Sequence, residues 1–451
     1  MSDRFEIPSV GPSALVRFPR ITRRSLENGL RVWSIAHTAV PVVSVALVLD
    51  IGTAADPADR PGLAGLVTDL VDEGAGSRDA IEFAEALARI GSHLDIESGP
   101  DATTLGLTTL TKFLPRAMEL LADVAMRPHL AATDLDRVRD LRLNRLRQMT
   151  RLPGTAGDRA LLAAVYGSHP YGHGSFGTTP SLQAITVDQA RAFWSSAFGP
   201  DRATLIVAGD IAAADAVAVA QESFAAWSGE HPRTPTPTPM ATAAGGHVLI
   251  VNRPGSPQSD LRVGHLGPPR STDAFHRLIT LNALLGGQFT SRINRKLREA
   301  MGVTYGARSS FDFRVAGGDF VCDASVDAAA TTSAVAEILA ECQALRTDDA
   351  VQAEELARAK ASLTRGYVRN FETAGHLARA AVQLSTYDLD EGEFDRFVPR
   401  VDAVTESDIA TTAREFLHPD LAAIVVVGDA ERVQAELENL GRPIRIFEPE
   451  F

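Results

Sequence analysis

Apolar and polar residues follow two different periods along the first half of the chain, and these periods separate predicted strands from predicted helices. Short runs with β-branched residues or apolar–polar alternation predict strands over 30–37, 42–52, 93–99 and 102–110. Apolar positions at helical spacing predict helices over 61–73, 79–90, 112–126, 132–150 and 155–166. Runs of strands mixed with runs of helices favour an α+β domain, in which helices pack on one face of a sheet.

The second half repeats this coarse order of strands and helices. Its apolar runs predict strands over 247–253, 260–267, 303–313 and 317–326. Helical spacing predicts helices over 273–300, 330–346 and 350–385. We therefore expect two homologous α+β domains, each built on a mixed, mainly antiparallel sheet.

One block of sequence occurs twice and supports this duplication. Residues 186–210 and 405–429 align without a gap. Each copy predicts a helix capped by threonine, a Pro-Asp turn and a buried strand that ends in Gly-Asp. The positions that are identical at this register are Thr186/Thr405, Pro200/Pro419, Asp201/Asp420, Ala203/Ala422, Val207/Val426, Gly209/Gly428 and Asp210/Asp429. We expect the two Gly-Asp strands to occupy equivalent places in their sheets.

A segment of alternating proline and threonine separates the two halves. It reads EHPRTPTPTPMATAAGGH, and this composition favours an extended linker over a helix or a central strand. The predicted division is an N-terminal domain over 1–230, a linker over 231–246 and a C-terminal domain over 247–451.

Composition and charge exclude several classes of protein. The 451 residues carry a formal net charge of -13, which argues against nucleic-acid partners because phosphate binding needs a basic surface. The N-terminal segment has no apolar signal region, and no run of about 18 apolar residues predicts a membrane span. Cys322 and Cys342 are too few for a disulfide framework or a cysteine-rich zinc site. We expect reduced cysteines and a cytoplasmic protein.

Several motifs resemble those of the pitrilysin/insulinase superfamily of zinc metallopeptidases. They are PGLAGLV followed by EGAGSRD, the HPYG loop, the two Gly-Asp strand ends and LREAMGVTYG. The resemblance covers nearly the whole chain and implies the fold shared by LuxS and the processing peptidases. It is most similar to bacterial, two-subunit members of the mitochondrial-processing-peptidase type, in which each subunit forms half of a clamshell.

Active members of the superfamily carry His-x-x-Glu-His on their first helix, and this motif is altered here. Two histidines four residues apart share one helical face and bind one zinc ion, while the glutamate activates water. The three positions are Gly65, Thr68 and Asp69 in this chain. The third ligand of the family would lie near Leu146, yet the stretch 141–157 contains no carboxylate. We therefore expect no zinc and no cofactor in this chain.

Two other groups of residues have a superficial likeness to metal sites. Asp69 and Glu73 lie one helical turn apart and could form a weak cation site, although a solvated acidic helix face is the favoured reading. His169 and His173 have ligand spacing, but Pro and Gly between them prevent a helix, and the resemblance implies a structural loop.

The second half retains the residues that hold substrate in the family. The helix is predicted to end at Gly302 and a strand to begin directly afterwards, a reversal that can bring Arg298 and Tyr305 together. The resemblance implies that this arginine holds a substrate carbonyl and that the tyrosine stabilises the oxyanion, both opposite a partner's zinc. Gly286 and Gly287 lack the Lys-Ser/Thr of a phosphate loop and are assigned to substrate binding.

The resemblance therefore implies the zinc-less, substrate-binding subunit of a heterodimeric zinc peptidase. The expected partners are a homologous, zinc-bearing subunit and a peptide, with neither nucleic acid nor membrane. Two alternatives share the same fold: a structural subunit without peptidase activity, and a stand-alone peptide-binding protein whose sheet edges accept an extended peptide.

Overall fold

The computed structural model describes residues 11, 15–229, 246–347 and 351–451. Its first half contains a six-stranded sheet and a small separate hairpin. The sheet strands are β1 (Ile21–Ser25), β2 (Arg31–Ala36), β3 (Val42–Leu49), β6 (Asp95–Ser98), β7 (Thr103–Leu110) and β8 (Ala203–Gly209), and the hairpin strands are β4 (Gly74–Ala75) and β5 (Arg78–Asp79).

Eight α-helices accompany these strands within the described part of the first half. They are α1 (Leu63–Thr68), α2 (Ala80–Arg89), α3 (Leu114–Met126), α4 (Ala132–Met149), α5 (Pro153–Tyr166), α6 (Thr179–Ala184), α7 (Val187–Ala197) and α8 (Ala213–Phe224). Short 3-10 turns cover Thr53–Ala55, Thr111–Phe113, Pro170–Gly172 and Pro200–Arg202.

The second half has its own six-stranded sheet. Its strands are β9 (Val248–Asn252), β10 (Gln258–Gly267), β11 (Thr304–Asp312), β12 (Gly318–Asp327), β13 (Ala423–Gly428) and β14 (Ile444–Ile446). Its helices are α9 (Phe275–Leu285), α10 (Arg292–Asn294) continued by a π-helical turn (Arg295–Ala300), α11 (Thr331–Ala344), α12 (Ala353–Thr364), α13 (Ala374–Thr386), α14 (Glu393–Asp402), α15 (Glu406–Phe416) and α16 (Ala430–Leu437). Short 3-10 turns cover Ala328–Ala330, Tyr367–Phe371, Pro419–Leu421 and Glu438–Leu440.

Five of the six strands have the same order in both sheets, which confirms the predicted duplication, whereas the edge strands differ because β1 pairs antiparallel with β2 and β14 pairs parallel with β9. The first runs β1-β2-β8-β3-β7-β6, and the second, taken from its β14 edge, runs β14-β9-β13-β10-β12-β11. The repeated strands β8 and β13 each pair parallel with one neighbour, β2 or β9, and antiparallel with the other, β3 or β10. Both copies of the preceding helix begin with a threonine capping box, at Thr186 and Thr405. The Gly-Asp strand ends are therefore equivalent.

Each sheet also carries a helix from the other half on its second face, a feature beyond the expected layer of helices. In β3, Val45 and Leu47 pack into the core of their own half, whereas Ala46 and Val48 pack against Leu377 of α13. Helix α5 in turn lies on β10 and β13 of the second sheet. The central strands are apolar throughout because both of their faces are buried.

Polar contacts reinforce this exchange between the halves. Tyr166, at the end of α5, donates a hydrogen bond of 2.6 Å to the buried Asp319 of β12. Burial raises the pKa of the Asp319 carboxyl to about 6, although the phenol hydrogen bond and Arg314 oppose this shift. Arg262 of β10 forms an ion pair of 2.7 Å with Asp158 of α5. The two halves therefore share both apolar and polar interfaces.

Three predicted helices differ from the structure. The predicted helix over 61–73 is too long: α1 ends at Thr68, and irregular turns follow it. The helix over 273–300 is divided at Gly286, and the helix over 350–385 is divided into α12, a 3-10 turn and α13. α9 ends at Gly286, where the chain passes so close to Ser309 of β11 that a side chain would collide with it. Thr373 begins a new helix by accepting a hydrogen bond from the His376 amide.

The predicted linker over 231–246 lies outside the described residues, apart from Gly246. The proposed boundaries of the two domains therefore stay a prediction. None of the helices in the described part of the chain is both long enough and apolar enough to cross a membrane.

Candidate peptide-binding site and the altered zinc motif

Helix α1, which carries the altered motif, is fixed at its N-terminus by a buried aspartate. Asp56 accepts hydrogen bonds from the amides of Gly62 at 2.6 Å and Ala64 at 2.7 Å. Burial raises the pKa of this carboxyl to about 7, while the two amide hydrogen bonds oppose the shift. A carboxylate here satisfies free N–H groups of the first helical turn, so α1 is held firmly in place.

The guanidinium of Arg142 lies against the altered motif. This buried side chain extends from α4 and donates to the Gly65 carbonyl at 3.0 Å, to the Ser175 carbonyl at 2.6 Å and to the Asp69 carboxylate. A β-carbon at position 65 would lie 2.6 Å from Arg142 Nη2 and 2.4 Å from the Ser175 oxygen. Glycine is therefore required at position 65 to make room for the arginine.

The other motif positions also have structural partners. Thr68 is buried and donates its hydroxyl to the Ala64 carbonyl at 2.7 Å, within its own helix. Leu146, near the position expected for the third ligand, is fully buried in the apolar core. Glu73 pairs with Arg137 of α4. Asp69 and Glu73 are thus each paired with an arginine, and Asp69 is at the same time half-exposed to solvent.

The HPYG segment is a structural turn that connects the two halves. His169 Nδ1 accepts a hydrogen bond from the Tyr171 amide at 3.1 Å. The buried Tyr171 donates its hydroxyl to Asp101. His173 lies 3.8 Å from the Asp56 carboxylate, and burial lowers the pKa of its imidazole. The two histidines therefore serve separate local contacts.

Arg298 lies on the π-helical turn that precedes β11. Its guanidinium stacks at 3.4 Å from the ring centroid of Phe289, and Nη2 donates to Glu299 at 2.7 Å. Nη1 is buried, and no described residue accepts a hydrogen bond from it. Among the described residues, the arginine therefore retains one donor group without a partner.

Tyr305 projects from a β-bulge at the edge of the second sheet. Thr304 pairs with Val326 and Ala307 with Ala324, so Tyr305 and its neighbour together face one residue of β12. The Tyr305 side chain is 99% exposed. Bulges occur at sheet edges and re-aim side chains, and this one directs the phenol into solvent.

The structure has the predicted reversal but does not bring Arg298 and Tyr305 into contact. Gly302 adopts φ +67°, the left-handed conformation expected of a helix-ending glycine. The almost complete exposure of Tyr305, however, shows that its ring packs against none of the described side chains. Within this chain the two side chains are thus separate donors on one helix-to-strand connection.

Asn294 is a buried residue that the sequence analysis did not identify. Its side-chain oxygen accepts from the Ala307 amide at 2.9 Å, and its nitrogen donates to the carbonyls of Ala307 at 2.7 Å and Gln288 at 3.2 Å. One amide therefore joins the loop that carries Phe289 to the strand that carries Tyr305. Only its polar character between apolar and basic helix positions could have suggested such a role.

Gly286 and Gly287 have a packing role beside this loop. A β-carbon at Gly286 would lie 2.4 Å from Ser309 Oγ, and one at Gly287 would lie 2.8 Å from Asn282 Nδ2. Both glycine amides donate to the Asn282 carbonyl. The two glycines let the chain leave α9 close to β11. The prediction that they bind substrate directly remains a prediction.

Two family models match most of the chain. Residues 31–179 match the model described as insulinase (peptidase family M16), and residues 184–363 match the model described as the peptidase M16 inactive domain. This chain belongs to peptidase family M16. The resemblance seen in its motifs is thereby confirmed at the level of the family.

Relatives of this M16 chain include one protein named as a zinc protease and one named as a subunit of a complex. An uncharacterized zinc protease of Mycobacterium leprae is 26% identical over 435 residues, which are 95% of each chain. Cytochrome b-c1 complex subunit 1 of Bos taurus mitochondria is 23% identical over 273 residues, which are 60% of this chain and 57% of the bovine one.

Solved structures confirm the M16 fold. A peptidase M16 inactive domain from Pseudomonas fluorescens has a TM-score of 0.85 at 23% identity, covering 91% of this chain and 98% of its own. A protease from Helicobacter pylori has a TM-score of 0.86 at 19% identity, covering 91% of this chain and all of its own. At these identities the likeness speaks for the fold alone.

The residues at the motif of this M16 chain do not fit zinc. Zinc sites need several histidine, cysteine or carboxylate ligands arranged tetrahedrally. Here one position is a glycine, another is a threonine bonded to its own helix, and the only carboxylate is paired with Arg142. Across the described ranges, no group of three such residues could hold a metal ion.

Proposed function

We propose that this chain is the zinc-less, substrate-binding subunit of a two-subunit M16 peptidase. A homologous chain with an intact His-x-x-Glu-His motif would supply the zinc ion and the general base. In this proposal the two chains form a clamshell with the peptide in the cleft between them. Arg298 and Tyr305 face the zinc of the partner, and hydrolysis requires both subunits.

The exposed tyrosine is the observation that carries the proposal. A tyrosine retained for packing would bury its ring, whereas Tyr305 is 99% exposed on an edge bulge that Asn294 supports. A phenol can donate a hydrogen bond to an oxyanion that forms on a bound peptide. Donors placed where charge develops are typically worth about 2.7–4 kcal/mol in the transition state.

Arg298 supports the same role through its unpartnered Nη1. A peptide carbonyl is a suitable acceptor for this donor, since arginine has five N–H donors and no acceptor. The Phe289 ring covers the guanidinium, so we expect the Phe289 side chain to move when a peptide binds.

We also propose that the protein lies in the cytoplasm. Cys322 and Cys342 are both free and buried. Burial raises the pKa of the Cys342 thiol to about 12, which keeps it in the unreactive thiol form. Two reduced, unreactive thiols suit a reducing compartment.

A second candidate function is that of a structural subunit without peptidase activity. The relationship to cytochrome b-c1 complex subunit 1 favours it, because that protein is a component of a larger complex. The other alternative is a stand-alone peptide-binding protein. It rests on the open sheet edges at β6 and β11, to which an extended peptide could pair.

The decisive experiment is steady-state kinetics on the chain reconstituted with a zinc-bearing M16 subunit. Tyr305→Phe removes only the hydroxyl donor and should lower kcat by about a hundredfold with little change in KM. The chain purified alone should contain no stoichiometric zinc by metal analysis and should not cleave peptides.

Arg298→Ala should instead raise KM more than it lowers kcat, because a contact to a ground-state carbonyl contributes uniform binding. Arg308→Ala is the matched control, since Arg308 is an exposed arginine on β11, the strand that carries Tyr305. The heterodimer should form in all three variants. Unchanged rates in both Tyr305→Phe and Arg298→Ala would reject the proposal and favour the structural subunit.

A further inference from the structure

A cavity of about 730 Å³ opens in the first half, between the C-terminal end of α3, helix α7 and the segment that follows α8. Its apolar lining consists mainly of Met126, Trp194, Phe198 and Trp227. The chain has only three tryptophans, so two of them line this one cavity. The volume lies within the range of about 300–1,000 Å³ that is typical of ligand pockets, and an aromatic lining is typical of them as well.

One aromatic wall of the cavity is fixed by hydrogen bonds, and the other is held by packing alone. Asn28, in the turn between β1 and β2, donates its side-chain amide to the carbonyls of Phe224 at 2.8 Å and Trp227 at 2.9 Å. On the other wall, the Trp194 ring lies 6.3 Å from the Phe198 ring, between centroids. The indole N–H of Trp194 has no acceptor among the described residues, so this ring is free to adjust to a ligand.

Arg127 gives the rim of the cavity a positive charge. It belongs to a group of ion pairs whose arginines are Arg78, Arg116 and Arg127 and whose carboxylates are Asp123 and Glu119. Three cations against two anions leave one positive charge in excess. The Arg127 side chain is 64% exposed and, among the described residues, pairs only with Asp123, through Nη2. An anion at the rim can therefore accept hydrogen bonds from its other guanidinium donors.

We propose that this cavity binds a small aromatic carboxylate. The ring of the ligand packs against Trp194 and Phe198, and its carboxylate reaches Arg127 at the rim. The hydroxyls of Ser195 and Ser228, which also line the cavity, offer further donors. The cavity shares no residue with the candidate peptide-binding site, so the inference is independent of the proposed function.

The chemistry of the cavity selects against other classes of ligand. An aromatic ring gains offset or edge-to-face contacts with the aromatic walls, which an aliphatic chain cannot make. An amine could contact the faces of the rings, but the positive charge of Arg127 opposes it. A peptide that ends in phenylalanine carries the same ring and carboxylate, yet its main-chain polar groups would lose water against the apolar walls.

Tryptophan fluorescence of the full chain tests this inference. In a Trp33→Phe variant, both remaining tryptophans line the cavity, so any change in their emission reports on it. The probes are 4-phenylbutanoate, its primary amide and 4-phenylbutylamine, whose phenyl ring does not absorb at the red edge of tryptophan absorption. We expect the carboxylate to bind about tenfold more tightly than the amide, as for one charge-assisted hydrogen bond, and the amine to bind more weakly than the amide.

Two pairs of variants separate the cavity from general effects of charge and folding. Arg127→Gln should weaken binding of the carboxylate about tenfold and leave the affinity for the amide unchanged. Arg89→Gln is its matched control and should change neither, since Arg89 is also exposed and also pairs with a carboxylate four residues before it. Ala192→Phe fills the cavity from an exposed position of α7 and should weaken all three probes, whereas Ala214→Phe on the exposed face of α8 should not.

Three results would overturn the inference: no binding of the carboxylate by fluorescence or calorimetry, no preference for the carboxylate over the amide and the amine, or equal weakening of carboxylate and amide by Arg127→Gln. A further probe, the tripeptide glycyl-glycyl-phenylalanine, separates small carboxylates from peptide ends. We expect it to bind at least about tenfold more weakly than 4-phenylbutanoate, because its peptide groups must be desolvated. Binding as tight as that of 4-phenylbutanoate would assign the cavity to peptide ends and reject the small ligand.

Discussion

Arg142 places a single positive charge beside the helix where active members of the family bind zinc. A buried charge is tolerated only when it is paired or hydrogen-bonded, and this guanidinium has the Asp69 carboxylate and two backbone carbonyls as acceptors. It joins α1 and α4, the two helices that would carry the zinc ligands of an active member, and also holds the Ser175 loop. The altered motif is thus a structural junction.

Arg142→Met should lower the free energy of unfolding by about 1–3 kcal/mol. The part-buried Ser175 carbonyl loses its donor, whereas the Gly65 carbonyl keeps the Asp69 amide and the half-exposed Asp69 loses little because water replaces its partner. Urea denaturation of the variant and of Arg145→Met, an exposed arginine one turn away, measures the difference. Equal stability of the two variants would show that the junction is unimportant.

The sequence alone identifies the loss of the zinc ligands but not the residue that replaces them. Gly65, Thr68 and Asp69 are recognisable because the motif has a fixed spacing. Arg142 is one of four arginines in the stretch 141–157, and nothing in its local sequence distinguishes it. Its acceptors at Gly65 and Ser175 are backbone atoms that only the fold brings together.

At the scale of elements, strands were predicted more accurately than long helices. The runs at 42–52 and 102–110 correspond closely to β3 and β7, because pairing on both sides reinforces their local pattern. The helix over 273–300 has helical spacing on both sides of Gly286 but is divided there. The chain there passes close to Ser309 of β11, a tertiary contact that the local pattern does not contain.

Asn294→Ala should loosen the connection between α10 and β11. Loss of the amide leaves both backbone groups of the buried Ala307 without partners and should cost about 2–4 kcal/mol of folding free energy. Hydrogen exchange should become faster in β11 near the Tyr305 bulge while β12 remains protected. Asn144→Ala, at an exposed position of α4, should change neither quantity.

The same variant distinguishes a positioning role from a purely structural one. If Asn294 positions Tyr305, kcat of the reconstituted pair should fall while the affinity between subunits stays constant. Asn294→Asp keeps the acceptor for the Ala307 amide and should recover part of the activity. An activity loss that follows global stability alone would contradict the positioning role.

At the scale of the whole molecule, the exchange of helices makes the two halves interdependent. The sequence contains a sign of this arrangement, because the strands of the repeated block are apolar at nearly every position and so are buried on both faces. The covering helix could not be identified, since α13 and β3 are separated by more than three hundred residues of chain. The pattern of apolar residues in a strand indicates that the strand is buried, whereas tertiary packing decides which helix covers it.

Cleavage of the chain between the halves should therefore leave them associated. A protease site inserted between Gly229 and Gly246 allows the cut in the native protein. The fragments should co-elute in size-exclusion chromatography, because α13 covers the outer face of β3 and β8 while α5 covers that of β10 and β13. Each fragment expressed alone should aggregate, since large apolar faces would be exposed. Separation into two folded, soluble fragments would instead show that the interface is weak and that 1–230 and 247–451 fold independently.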